Sequence, residues 1–589
     1  MKRYVTLAAA CTLAVLLLSS GVPPADSVSS AAQSPAIRVA PAAPVFADAE
    51  RQAELRARRA RVAQEVGPKG LAVFFSAEPR LYTNDVNHEF RQENNLFYLT
   101  HLNQEHATLV LLPGGGRVTE ILFLPRRNPA REAWDGYMYS AEEARRLSGV
   151  DVILDARSFT GFIKTVQSQR SLGKIGGPLP IPNEQILLYQ RGDTNFAGAS
   201  ASSALLASEL QSGLNQLYRT ANEKEAALHL LVPPRDAASG EFGESREWRQ
   251  EQRFAREWVK AAGGYKVQSL HPLLTQMRLR KSASEIRIMQ HAIDITGEAL
   301  GRAMAAAGGA AWEYEVEAEV DYTFRRRNAD SWGYPSIVGC GPNATTLHYN
   351  ASQGRVRPGD LLLMDVGAEY LHYTADVTRT FPVSGKFTKE QADIYNLVFA
   401  AQEAAIRVIK PGGRRTDADE ASFEVIKDGL VKLGLITGRD ATIEIGGRAF
   451  PQFRLWALHN TTHWLGMNVH DVGGNEALEP GMVFTNEPGV YVRGDTLDNL
   501  PPTPEVEKFK AAVRPAFEKY KNIGVRIEDD MLVTAEGSRN LSAALPRTLE
   551  EVESFIARAR REFTRAALPA NFRGHVHAGT IADFARHGH

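Results

Sequence analysis

The order of apolar and polar residues predicts two folded units. GLAVFF (70–75), ATLVLLP (107–113) and EILFLP (120–125) are short, nearly continuous apolar runs bounded by turn formers, the pattern of buried strands. Around them the chain is charged and helical in character, from about Ala49 through Arg61 and again over about 217–264. This predicts a smaller mixed α/β domain over 51–276, with the 217–264 stretch as its helical end or an insertion. The second unit opens with a helix near Ser282. Ser282 and Glu285 have capping-box spacing, and Ile286, Met289, Ile293 and Leu300 fall on one helical face. LLLMDVG (361–367) and TADVTRTFPV (374–383) read as strands, a helix follows over about 389–408, and strand-rich segments are expected near 463–472, 482–492 and 524–534. This unit is assigned to 277–546. A charged helix from Leu549 to Arg565 opens a C-terminal helical tail over 547–589.

The start of the chain follows neither rhythm. Lys2 and Arg3 precede an apolar run from Val5 to Leu18, then Ser19, Ser20 and Gly21. That is the layout of a secretory signal peptide, expected over 1–26, and the run is short for a membrane span. Residues 27–50, rich in Ala, Pro, Ser and Val, read as a disordered linker. The expected mature chain is exported, periplasmic or secreted, with no stable membrane span. Lysines and arginines number 68 against 69 aspartates and glutamates, a net charge of -1. That balance supplies no basic face for nucleic acid or an anionic membrane. Cys11 falls within the expected signal, which leaves Cys340 without a partner for an internal disulfide.

The chemistry lies in the second unit. Asp365 ends the apolar run LLLMD, where an unpartnered carboxylate is costly. Asp376 follows on the expected adjacent strand of a hairpin, so the two can face each other. His463 lies in HNTTHWLGMNVHDVG, Glu487 in FTNEPGVYV and Glu528 in GVRIEDDMLVT. Taken singly, each has an ordinary reading as a turn residue, a strand-end charge or a core histidine. Together, four carboxylates converging in one core repel and take up protons unless cations supply charge. This oxygen-rich set with one imidazole favours Mn²⁺, with Co²⁺ or Zn²⁺ as the alternatives, and four carboxylates are enough to bridge two divalent ions.

In this order the segments LHY (347–349), MDVGAEYLHYTADVTRTFPVSGKF (364–387), HWLGMNVHDVGG (463–474), EPGMVFTNEPGVY (479–491) and GVRIEDDMLVT (524–534) resemble the signature blocks of the aminopeptidase P and prolidase family of metallopeptidases. FRQENNLFYLT (90–100) resembles a motif of that family's N-terminal domain. The resemblance implies a catalytic domain of the pita-bread fold behind the smaller α/β domain. It implies a metal-dependent exopeptidase that releases the N-terminal residue from peptides with proline in second position. Asp365 is then expected to bind one metal ion, His463 and Glu487 the other, and Asp376 and Glu528 both. A hydroxide held between the metals is expected to attack the scissile carbonyl, with Glu487 as proton shuttle. His348, His459 and His470 are expected to contact the substrate or the tetrahedral intermediate, Arg526 to orient carboxylates or substrate, and Tyr334 and Phe97 to offer aromatic surface to the proline ring.

Two departures from the family pattern stand out. Asn460 occupies the place of a glycine after the first histidine of the HxxxH block. The gap between Glu487 and Glu528 is long, and Val506, Phe509, Val513 and Phe517 recur there at roughly helical spacing, which predicts an amphipathic insertion over 493–522. Its placement decides how far a substrate extends past proline. An Xaa-Pro dipeptidase is therefore the alternative reading, and the TADVTRTFPV and FRQENNLFYLT blocks favour the aminopeptidase. A metal-free pita-bread binding module, or a creatinase-like hydrolase of a small amidine, fits poorly with the retention of all five ligand positions. The expected partner is a peptide substrate, and a homo-oligomer is compatible with the sequence.

Overall fold

A computed structural model describes residues 35–114, 118–170 and 200–563; the expected signal peptide and the end of the tail lie outside the described residues. The N-terminal domain is built on one six-stranded sheet: β1 (Gly70–Phe75), β2 (Thr108–Leu112), β3 (Thr119–Leu124), β4 (Val152–Asp155), β5 (Ala226–Leu230) and β6 (Tyr265–Ser269), in the order β4-β3-β2-β1-β5-β6. β1, β2 and β3 are antiparallel neighbours, whereas β5 and β6 continue parallel to β1, and β4 lies parallel to β3. Every residue of β1 is buried because both faces of the sheet are covered. Ala72 and Phe74 pack with α1 (Asp48–Val66) and α2 (Asn94–Thr100). Leu71, Val73 and Phe75 pack with α3 (Phe159–Gln167), α4 (Ser200–Asn222) and α5 (Arg249–Ala261).

The charged stretch over 217–264 thus contains β5, next to β1 in the sheet, as well as helix. A short apolar strand buried on both faces lacks the alternation that identifies a half-exposed one, so the surrounding charge hides it. The charge-poor segment before α1 is held against the second domain over its described half. Ala40 is buried and its N–H donates to Glu298 Oε2 at 2.8 Å, while Ala36 and Ile37 pack on the same core.

The second domain carries α6 (Ala283–Ala306), α7 (Glu313–Arg326), α8 (Lys389–Val408) and α9 (Arg415–Leu433) around small antiparallel sheets, five among the described residues. β7 (Ile337–Cys340), β8 (Leu361–Val366) and β9 (Val377–Pro382) form one of them. β10 (Val483–Asn486) pairs with β13 (Asp529–Val533), and β11 (Gly489–Val492) pairs with β12 (Ile523–Arg526). The Ser282–Glu285 capping box opens α6 as the spacing predicts. The expected strand over 463–472 is instead irregular, joined to the sheet at a single bridge between Trp464 and Phe484. The strands expected over 374–383, 482–492 and 524–534 are each interrupted, and the interruptions fall at Asp376, Glu487 and Glu528. A residue between two strands is free of the ladder and can aim its side chain off the sheet.

The 493–522 insertion forms α10 (Pro504–Tyr520), which buries Val506, Phe509, Val513, Phe517 and Tyr520. It packs on the main core, with the rings of Phe517 and Trp456 6.1 Å apart, and the Tyr520 hydroxyl donates to Asp393 on α8 at 3.0 Å. The tail helix α11 (Leu549–Glu562) packs on the same core through Val552, Phe555, Ile556 and Ala559. Among the described residues, no helix is long and apolar enough to cross a membrane.

A fully buried ion pair locks β9 to β13. Arg379 Nη2 donates to Asp529 Oδ1 at 2.7 Å, and both side chains have 0% exposure. Arg379 also donates to the carbonyls of Glu528 at 2.7 Å and Pro546 at 2.9 Å. Asp529 receives further donors from Gln402 and Ser542. Burial favours protonation of Asp529, but Arg379 and Arg547 outweigh it and hold its carboxyl below the usual range. Removing one partner strands the other charge, so Arg379→Met is expected to cost about 3–5 kcal/mol of stability. Adding Asp529→Asn should recover part of that loss. Thermal and denaturant unfolding of the three proteins checks both statements; an unchanged midpoint for Arg379→Met would show that the pair contributes nothing.

Candidate metal centre

Four carboxylates, one on a strand and three at breaks between strands, meet one loop histidine where the small sheets abut. Asp365 lies near the end of β8, opposite Thr378 of β9, and Asp376 precedes β9. Glu487 lies between β10 and β11, and Glu528 between β12 and β13. His463 Nε2 lies 3.3 Å from Asp376 Oδ2, 3.4 Å from Glu487 Oε1 and 4.0 Å from Glu528 Oε1. Asp376, His463 and Glu528 each offer a donor atom within 4.8 Å of the others. Next to them, Gly367 has no room for a side chain: a Cβ would overlap the Ala375 carbonyl and the Tyr334 ring.

The protons in this group do not suffice for its acceptors. His463 Nδ1 is 3.2 Å from the Trp464 carbonyl, which keeps the imidazole proton on Nδ1 and turns the Nε2 lone pair toward carboxylate oxygens. The Tyr334 hydroxyl reaches Asp365 Oδ1 at 2.5 Å and Asp376 Oδ1 at 2.6 Å, although it has one proton to give. Burial, then Asp365 and Glu487, raise the proton affinity of Asp376 well above the carboxylate range. Burial, then Asp376 and Asp365, do the same to Glu528. Burial, then Glu528, push Glu487 to about 8. A group of hard oxygen donors plus one imidazole lone pair, starved of positive charge, suits divalent metal ions.

Arg526 is the built-in cation. Its Nη2 donates to Asp365 Oδ2, its Nη1 to the Tyr491 hydroxyl at 2.8 Å and its Nε to the Thr378 hydroxyl at 3.1 Å. Thr378 in turn donates to Glu528 Oε2 at 2.6 Å. The guanidinium therefore orients two carboxylates, one directly and one through Thr378, and its fork is spent on the protein. Arg526 and Glu528 do not share a strand, because Glu528 lies beyond the end of β12.

His459 is held at both nitrogens. Nδ1 is 2.7 Å from the Asn460 carbonyl and must donate, so Nε2, 2.7 Å from the Tyr491 hydroxyl, accepts. Burial, reinforced by Arg526, lowers its pKa to about 3 and keeps it neutral. Nδ1 lies 3.6 Å from Glu487 Oε2, beside the carboxylate group. Asn460 takes no left-handed backbone, so no glycine is required there. The His470 ring stands 4.4 Å from that of His463 at 80°. Partial burial, then His463 and His348, lower the proton affinity of His470, and His348 faces solvent.

Both aromatic candidates have protein partners in the structure. Tyr334 spends its hydroxyl on Asp365 and Asp376. Phe97 is 4% exposed and stacked on His372 of the second domain, centroids 3.8 Å apart, so it packs the domain interface. Thr378 and Tyr491 escaped the sequence reading. The first lies two positions after Asp376 and the second closes the EPGVY segment, but neither residue type signals a link between an arginine and a carboxylate or histidine.

Residues 287–535 match the profile of metallopeptidase family M24, and residues 55–174 match that of the aminopeptidase P N-terminal domain. The Xaa-Pro aminopeptidase of Haemophilus influenzae is 32% identical over 508 residues, covering 85% of this chain and 97% of its own. That of Escherichia coli is 30% identical over 515 residues, covering 86% and 98%. The solved structure of Escherichia coli aminopeptidase P with the inhibitor Pro-Leu is 28% identical, with a TM-score of 0.65 over 87% of this chain and 99% of that one. A zinc-substituted form of the same enzyme in complex with product is 29% identical, with a TM-score of 0.63, 86% and 99%. Both domains are matched in their order along the chain, and near-full-length relatives exceed the identity at which common descent is secure; the chain belongs to the aminopeptidase P family of M24 metallopeptidases.

Proposed function

We propose that this protein is a metal-dependent Xaa-Pro aminopeptidase that releases the N-terminal residue from peptides with proline in second position. The reading rests on one observation above the rest: four carboxylates and one imidazole, drawn from distant segments, converge with too few protons to satisfy them. We assign Asp365, Asp376, His463, Glu487 and Glu528 as holders of two divalent ions, with Mn²⁺ favoured by the hard donor set. Such ions, when bound, lower the pKa of water toward neutrality and polarise a carbonyl.

The remaining work falls to the chain. Glu487 is the group we assign to take and return the proton of the reaction, since its carboxyl titrates near neutrality when only protein groups surround it. Neutral His459, fixed by Asn460 and Tyr491, borders Glu487 without competing for that proton. His348 and His470 are assigned to substrate contact on the solvent side. Proline has a tertiary amide and a fixed φ, so the bond before it needs a dedicated site. α10 spends its apolar face on α8 and the core rather than on the carboxylate group, which supports an aminopeptidase over a dipeptidase.

Three outcomes test this reading. Asp376→Asn should lower turnover by more than the roughly 100-fold that loss of an outer partner costs, with the fold retained; full turnover in that variant, or in wild type after exhaustive chelation, would sink the metal-dependent mechanism. A peptide extended by two residues past proline should show a higher kcat/KM than the Xaa-Pro dipeptide, and a strong preference for the dipeptide would make this enzyme a prolidase. The third concerns pH. Glu487 keeps its proton to about 8 in the folded metal-free chain and loses it near 4.5 unfolded. Between these values the folded state binds more protons, so metal-free stability falls as pH rises. Metal displaces that proton, so the gain in Tm on adding Mn²⁺ should grow from about pH 5 to pH 8; a constant gain across this range by calorimetry contradicts the assignment.

A further inference from the structure

The FRQENNLFYLT segment belongs to the N-terminal domain, yet three of its polar side chains serve one loop of the catalytic domain. That loop, 466–471, joins metal-facing His463 to His470 and has no regular strand pairing. Arg91 Nη2 donates to the Met467 carbonyl at 2.8 Å. Asn94 Nδ2 donates to Asn468 Oδ1 at 2.8 Å and to the same carbonyl at 3.4 Å. Asn95 Oδ1 accepts from Arg278 Nη1 at 2.9 Å, and the other arm of Arg278 binds Asp471, the residue after His470.

Each gripping group is itself held. Arg91 Nε lies 2.8 Å and 3.0 Å from the two carboxylate oxygens of Glu369, and its Nη1 donates to Asn94 Oδ1 at 2.9 Å. Asn95 Nδ2 donates to Glu93 Oε1 at 2.8 Å. Arg278 and Asp471 have side-chain exposures of 3% and 1%, and Lys281 Nζ stands 3.7 Å from the second Asp471 oxygen. Gly466 leaves the space this carboxylate needs, since a Cβ there would overlap it.

Adhesion between the domains does not need these contacts. Leu96, Phe97, Tyr373, Leu465 and Met467 already share one apolar cluster across the interface. Apolar packing is non-directional, whereas hydrogen bonds to a carbonyl and a buried carboxylate fix where a loop lies. The residue whose placement depends on this loop is His470, whose ring rests on His463.

We propose that Arg91, Asn94 and Asn95 are positioning residues: through them the N-terminal domain clamps loop 466–471 and sets the placement of the His470 imidazole against bound peptide. The proposal rests on the reading of His470 as a substrate contact. A displacement of about 1 Å in such a group costs on the order of 100-fold in rate, so the clamp acts on turnover without touching substrate.

The test uses the full metal-loaded enzyme and a four-residue peptide with proline second. Arg91→Met, Asn94→Ala and His470→Ala are compared singly and in pairs for kcat, KM, metal content and Tm. Arg91 has 38% side-chain exposure, so its loss leaves little cavity. Arg91→Lys, which keeps a charge for Glu369 without the fork that reaches Met467, stands in if Arg91→Met fails to fold. The expected result is a fall in kcat/KM of about 10- to 100-fold for each clamp variant, with metal content unchanged, and no further fall when it is added to His470→Ala. Equal losses in the wild-type and His470→Ala backgrounds overturn the proposal, as does loss of metal in the clamp variants. If His470→Ala alone leaves kcat/KM unchanged, the substrate-contact reading fails and takes the clamp's role with it, and the single variant tells that failure from the other.

Discussion

Mutual repulsion among buried carboxylates is the constraint around which the catalytic domain is arranged. Asp376, Glu487 and Glu528 are each pushed toward the protonated form, first by burial and then by one another. The protein answers with one internal cation at the site, Arg526, and relies on added metal for the rest. The second buried cation, Arg379, is kept away from this group. It is matched to Asp529, the immediate neighbour of Glu528, and its bond to the Glu528 carbonyl fixes the backbone from which that carboxylate projects. Charge at the centre and charge beneath it are thus balanced separately.

Interrupted strands turn that arrangement into geometry. Asp376, Glu487 and Glu528 all sit where a strand stops and another starts, so their backbones are placed by sheet pairing on either side while their side chains are released from it. Pro488, which has no N–H to offer a ladder, directly follows Glu487. Thr378 then couples Arg526 to Glu528 across two of these segments.

The parts of this that were legible in the sequence are those carried by residue type and spacing. The capping box of α6 and the apolar stripes of α6 and α10 could each be read from local pattern, whereas the four carboxylates and His463 stood out only by occurring together and in order. β5 could not, because a buried parallel strand has no alternation to display. The breaks at Asp376 and Glu528 were not visible either, because strand residues resume within two positions; only the break at Glu487 has a local signal, in Pro488. Tyr334 and Phe97 were singled out as rings, and residue type alone does not report the hydroxyl contacts of the one with Asp365 and Asp376 or the stacking of the other on His372. Thr378 and Tyr491 work only through neighbours distant in sequence, and no local pattern reports that.

The α10 insertion has a further consequence. Val492 and Ile523 are paired residues of β11 and β12, so the segment between them leaves and returns at adjacent points. Loop-closure entropy for such a segment rises only by about 0.6 kcal/mol for each doubling of its length. Extra length is therefore tolerated in the exposed stretches beside α10 while the register that carries Arg526 stays closed, whereas α10 itself must stay, because its apolar face completes the main core.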